Sequence, residues 1–100
     1  MPDSAIHVGL LGCGNVGAAL ARLIDEHADL ITSRAGVAIE IARVAVRDPS
    51  RHRDVQLAPE QFTSDAAAIV GDPDIDVVVE VIGGVEPARS LVTAALHAGK

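Results

Sequence analysis

One hundred residues make room for about one small domain, and 14 acidic against 8 basic side chains leave a formal charge of −6, with 49% apolar and 22% charged residues in the balance of a globular chain. A single cysteine excludes an internal disulfide and a cysteine-based metal cluster, and no run reaches the roughly 18 apolar residues of a membrane span. Net acidity without Tyr or Trp argues against nucleic acid as the main partner.

Asp3 and no basic stretch precede the first apolar run, so no secretory signal is expected, and the cytoplasm is the expected compartment by elimination. Residues 6–11, apolar except for His7, read as a buried strand. From Asn15 an apolar stripe follows: Val16, Ala19, Leu20, Leu23 and Ile24 lie on one face of a 3.6-residue period. A helix is predicted over residues 15–29, fraying or breaking near 32–36, with Gly36 as its stop. The β-branched and Ala-rich segment 39–46 predicts the second strand. Residues 47–53, polar and containing Pro49, predict a loop. A short extra strand is possible at 61–63. Ser64 or Asp65 caps a short helix running to Val70, which Gly71-Asp72-Pro73 ends. Residues 75–82, with Val77, Val78, Val79 and Val81, read as a buried strand that Gly83-Gly84 turns. Pro87 opens the last helix, which carries Ala88, Leu91, Val92, Ala95 and Leu96 on one face and has Gly99 as its C-cap.

The alternation predicts an α/β, Rossmann-like, doubly wound parallel sheet occupying residues 1–100 as one domain. In such a fold another strand should follow the helix ending near Gly99. The sheet is therefore expected to be truncated there, a fragment incomplete at its C-terminus. The near absence of aromatic rings (Phe62 alone) suits a core of Val, Ile, Leu and Ala.

Gly12-Cys13-Gly14-Asn15-Val16-Gly17 is GxGxxG, placed after a strand and opening a helix. Gly12 would allow the tight turn, Gly14 the approach of a pyrophosphate, and Gly17 close packing of helix on strand. The helix N-terminus would face the phosphates. The competing account is a glycine-rich turn with no ligand. The acidic residue expected about 20 positions on is missing. The second strand ends instead near Arg47-Asp48, with Arg47 standing 35 residues past Gly12. Arg47 offers a planar fork for a 2′-phosphate, with Arg51 and Arg53 nearby. Asp48 offers the alternative, accepting from a free 2′-hydroxyl. Arg47 tips the expectation toward NADP over NAD.

Cys13 reads as a small side chain between two glycines rather than a redox centre. None of the four histidines has metal-ligand spacing, His7 has no Cys, His or carboxylate cluster beside it in sequence, and His27 and His97 lie at isolated positions on the helices. No metal site is expected, and Asp72, Asp74 and Asp76 read as a solvated turn. His52, with Arg51 and Arg53, is also accounted for by a solvated loop. Glu80, inside an apolar strand, needs a hydrogen-bonding partner, and a structural role outweighs substrate contact. Gly83 and Gly84 would clear room for the nicotinamide ribose, or simply form a tight turn.

These residues carry a family likeness. Gly9-Leu10-Leu11 leading into the glycine loop, Ala45-Val46-Arg47-Asp48, the run from Asp72-Pro73 through Val77-Val78-Val79-Glu80-Val81-Ile82-Gly83-Gly84, then Glu86-Pro87-Ala88 and Ala98-Gly99-Lys100 resemble the N-terminal cofactor domain of homoserine dehydrogenase. The resemblance covers nearly the whole chain, and its most specific part is the valine run joined to Glu80 and the double glycine. It implies NAD(P)-linked interconversion of L-aspartate 4-semialdehyde and L-homoserine, on the route to threonine, methionine and isoleucine. In that family acid–base chemistry relies on a lysine with an acidic partner in a later substrate domain, and a further lysine lines the cofactor site beyond the strand that should follow Lys100. Lys100 matches neither, so no catalytic residue is expected in this chain. A homo-oligomer is implied for the full-length protein. Alternatives are the cofactor domain of a sugar-type oxidoreductase and a non-catalytic nucleotide-sensing module.

Overall fold

A computed structural model describes residues 5–51, 53, 55–82 and 87–100. The first strand, β1 (Ala5–Leu11), leads through the glycine loop into α1 (Asn15–Glu26) and α2 (Ala28–Ala35). Strand β2 (Ala38–Ala45) follows, then a 3-10 turn (Pro59–Gln61), β3 (Phe62–Thr63), α3 (Ala66–Val70), β4 (Val77–Glu80) and α4 (Ala88–His97). All pairings are parallel, in the order β3-β2-β1-β4. This is the doubly wound arrangement expected from the sequence. The chain steps outward from β1 to β2 and β3, then crosses back to place β4 on the other side of β1. The carboxyl ends of β1 and β4 stay paired, but α1 and α4 after them pack on opposite faces of the sheet, so the crevice where such sheets bind their ligands opens at this switch of direction.

Side-chain alternation along the strands makes two cores. Leu10, Val44 and Ile41 face α1 and pack with its Ala21. Leu11 and Ala45 face the other way, onto Ile69, Val70, Ile75 and Ala95 of the α3–α4 layer. Leu10 and Leu11 are completely buried, each contributing about 1.5–3 kcal/mol of burial free energy. Gly9 belongs to the second face: a Cβ built there would collide with Ile69 Cγ2 and come within 3.2 Å of Ile75 Cγ2. The residue is glycine because the helix layer sits directly on the strand.

The β1–β2 register slips between Val8, opposite Ile41, and Gly9, opposite Arg43, which leaves Ala42 as an extra residue on β2. The carboxamide of Gln61 covers this bulge. Its Nε2 donates to the carbonyls of Ile41 (2.9 Å) and Ala42 (3.3 Å), and its Oε1 accepts from Ala58 N–H.

Several element limits differ from the sequence expectation. The helix predicted to weaken near 32–36 breaks earlier, at His27 (φ −112°), and continues as α2 to Ala35, where Gly36 in the left-handed region (φ 79°) stops it. Strand β4 is shorter than residues 75–82. Ile75 N–H closes a turn on the Asp72 carbonyl, and sheet hydrogen bonding starts with Asp76 N–H on the His7 carbonyl. Asp65 rather than Ser64 caps α3, its carboxylate accepting from Ala68 N–H at 3.1 Å. The last helix is capped at Ala98, with Gly99 one residue beyond at φ 82°. Lys100 then reaches back, its Nζ donating to the Asp72 (2.7 Å) and Ile75 (2.6 Å) carbonyls and tying the helix end to the turn before β4. His7 does have carboxylates beside it. Glu40 from β2 and Asp76 from the turn each lie 3.6 Å from one of its ring nitrogens, at the amino end of the sheet and away from the crevice.

Candidate functional site

A cleft of about 400 Å³ opens at the carboxyl ends of the strands, lined by Gly12, Cys13, Gly14, Arg47, Arg51, Arg53, Ser64 and Ile82 among others. Gly12 turns out of β1 with φ 98°, and its N–H donates to the Ala45 carbonyl at 2.8 Å. A Cβ at this position would stand 3.2 Å from the Val81–Ile82 backbone, so both conformation and space require glycine. Gly17 is buried one helical turn into α1, where a Cβ would approach the Gly12 carbonyl oxygen to 2.8 Å. Its absence lets α1 pack onto the loop. Gly14 differs from both. It has ordinary backbone angles (φ −80°, ψ −152°) as the residue before α1, and among the described residues nothing lies within 4 Å of where its Cβ would be. No atom of the described residues explains Gly14. The bare space above it, at the amino end of a 12-residue helix, is what a closely approaching anion needs.

The far wall of the cleft is cationic. Three of the chain's 8 basic residues, Arg47, Arg51 and Arg53, line it, although the chain is acidic overall. Arg47 follows β2 and is exposed, making no hydrogen bond or ion pair among the described residues. Asp48 does not line the cleft. Its Oδ1 accepts from Ser50 N–H (3.1 Å) and Ser50 Oγ–H (2.6 Å), the side-chain-closed turn that Asp-Pro-Ser favours. These hydrogen bonds, led by the one from the Ser50 hydroxyl, hold its carboxyl below the usual aspartate value, with smaller help from Arg53 and Arg51. Ionised Asp48 therefore favours the folded turn above the ordinary carboxylate range, and that contribution is lost as pH falls through the depressed value. Ser50→Ala should move the Asp48 titration upward toward the ordinary value, as followed by carboxyl carbon NMR. An unmoved midpoint would remove Ser50 as the cause.

Of the residues singled out in the sequence, the cleft brings together Gly12, Cys13, Gly14 and Arg47. Asn15 and Val16 begin α1 beside it without lining it, and Gly17 and Asp48 stand behind it. Gly83 and Gly84 lie outside the described residues, as do His52 and Glu86. Burial pushes the Cys13 thiol up, against smaller opposing effects of Arg53 and Arg22, so its environment does not favour a reactive thiolate. Glu80 is half-buried and its Oε1 accepts from Ile82 N–H at 2.6 Å, fixing the strand's exit beside Gly12. Arg51 and Arg53, expected near Arg47, line the cleft as well, and Ser64 is a cleft residue that the sequence points to only as a helix cap. The β3–α3 junction could have been placed at the cleft from the rule that the carboxyl ends of parallel strands share one side.

Residues 12–100 match the homoserine dehydrogenase NAD-binding domain. The chain belongs to this family. It is 46% identical over 99 residues to the homoserine dehydrogenase of Corynebacterium glutamicum, covering 99% of this chain and 22% of that protein. The crystal structure of a homoserine dehydrogenase from Thiobacillus denitrificans superposes with a TM-score of 0.87 at 45% identity, over 97% of this chain and 22% of that one. That of the S. aureus enzyme gives a TM-score of 0.89 at 32% identity, over 96% and 24%. The chain thus spans about a quarter or less of the relatives it matches. It is an NAD(P)-binding oxidoreductase domain related to homoserine dehydrogenase, and the site geometry agrees with that class: a glycine turn, an open helix N-terminus and a cationic wall around one cleft.

Proposed function

We propose that this chain is the cofactor half-site of a homoserine dehydrogenase, which as a whole protein interconverts L-aspartate 4-semialdehyde and L-homoserine by hydride transfer, with NADP favoured over NAD. The observation that carries the cofactor preference is the pairing at the end of β2. Arg47 faces the cleft unengaged among the described residues, while the Asp48 carboxylate is held by Ser50. An unopposed guanidinium suits a 2′-phosphate. A carboxylate whose Oδ1 is engaged by Ser50 and which does not line the cleft is less suited to reading a 2′-hydroxyl there.

In this reading the pyrophosphate lies over Gly14 at the start of α1, the adenosine ribose lies beside Arg47, and the nicotinamide end runs past Gly12 toward Val81 and Ile82. The bound cofactor supplies or accepts the hydride. This chain's residues bind and orient it, and none of them is assigned an acid–base role. The protein is proposed to act in the cytoplasm as a homo-oligomer.

Arg47→Ala removes a charge-assisted pair of about 1.5–3 kcal/mol, a loss of roughly 10- to 150-fold in NADPH affinity, while NADH should change far less. The measurement is kcat/KM for homoserine oxidation with both cofactors in the whole protein, before and after the substitution. Equal losses would show that Arg47 does not read the phosphate. A wild type that prefers NADH would transfer the assignment to Asp48. A whole protein that turns over neither homoserine nor the semialdehyde would overturn the activity itself.

A further inference from the structure

Arg53 is the most heavily engaged of the three cleft arginines. Its Nη1 donates to two backbone carbonyls, Asp48 (3.0 Å) and Arg51 (2.9 Å), which are the first and last residues of the turn 48–51. That turn is itself closed by Arg51 N–H on the Asp48 carbonyl at 3.2 Å, with Pro49 at its second position. The guanidinium carbon lies 5.4 Å from the centre of the Phe62 ring. Phe62 is the chain's one Phe, Tyr or Trp, it belongs to β3, and it packs against the α1-side core. The turn is therefore tied, through one planar cation, to a side chain anchored in the sheet. Arg47 precedes the turn, Arg51 ends it, and both line the cleft.

We propose that Arg53 is a positioning residue that clamps the turn 48–51 onto Phe62 and so aims Arg47 and Arg51 at the adenosine 2′ position. The inference rests on the cofactor reading above for the ligand it names, and on the hydrogen bonds alone for the clamp. Lysine could supply the charge. It lacks the flat guanidinium that lies over the Phe62 ring while Nη1 holds both carbonyls.

The test compares Arg53→Lys and Phe62→Leu with wild type in the whole protein. Backbone hydrogen exchange over the peptide containing the turn reports the clamp. Affinities for adenosine 2′,5′-bisphosphate and 5′-AMP report the aim. In Arg53→Lys, exchange in the turn should quicken roughly 5-fold or more. The bisphosphate should weaken about 10-fold, with 5′-AMP changed less than about 2-fold. Phe62→Leu, which keeps the charge and removes the ring, should shift both readouts in the same direction by less. Unchanged exchange in Arg53→Lys overturns the clamp. Quickened exchange with an unchanged bisphosphate affinity overturns the aiming. Equal weakening of both nucleotides with a lowered melting temperature makes Arg53 merely structural. If wild type binds both nucleotides equally, the phosphate reading falls on its own. The clamp is then judged by exchange and 5′-AMP affinity together: a rise in one with a loss in the other supports it, and no change in either overturns it.

Discussion

Valine at position 14 should abolish dinucleotide binding and leave the fold intact. The backbone at Gly14 is extended, and a Cβ there meets no atom of the described residues within 4 Å. The substitution therefore costs the apo protein little. Its methyl groups occupy the space over the first turn of α1 where the pyrophosphate is proposed to lie. Displacing that group separates it from the helix N–H donors and the positive end of the helix dipole. The expected loss is on the order of 1,000-fold in affinity, about 4 kcal/mol, for NADPH and NADH alike. Fluorescence titration with reduced cofactor measures the binding, and circular dichroism with thermal melting checks the fold. Retained affinity in Gly14→Val would mean that the pyrophosphate does not pass over this loop.

Gly9→Ala should do the reverse, costing stability while leaving the cleft residues in place. The new methyl group enters the contact between β1 and the α3–α4 layer, against Ile69 and Ile75, which are 1% and 2% exposed. Neither has room to retreat. Overpacking of this kind costs about 1–3 kcal/mol. Urea unfolding should show it as a lower midpoint at constant slope. The colliding atom is the β-branch methyl of Ile69, so Ile69→Leu, which removes that branch at constant volume, should recover part of the loss in the double variant. Additive effects of the two substitutions would show that the contact at Ile69 is not the cause.

These two glycines also mark how far the sequence could be read. The strand, glycine turn and helix that place Gly12, Gly14 and Gly17 are local signals, and spacing alone assigned each its role. Gly9 carries no local signal, because its reason is a pair of isoleucines some 60 residues away that only the crossover brings to β1. The break at His27 was equally invisible. Helical propensity runs on through Ala28, and the bend comes from wrapping α2 against β2. At the site, Arg47 and Asp48 are legible as rivals at one strand end, but only the folded turn shows that Arg47 lines the cleft while Asp48 bonds Ser50. Ser64 entered the site through the parallel arrangement of β3, a two-residue strand with little pattern of its own.

The extra residue in β2 has a consequence for where this chain can change length. Ile41 and Val44, three apart, face the same core, as do Ala42 and Ala45, a spacing that strict alternation forbids and the bulge permits. Losing Ala42 alone would restore unbroken alternation and leave Val44 and Ala45 facing as they do now, at the expense of its hydrogen bond from Gln61. Losing one residue between the bulge and the strand's end would turn inside out every side chain that precedes or follows it. Insertions and deletions in this strand are thus confined to a single permissive point, one that keeps Arg47 at the mouth of the cleft whichever length the strand adopts.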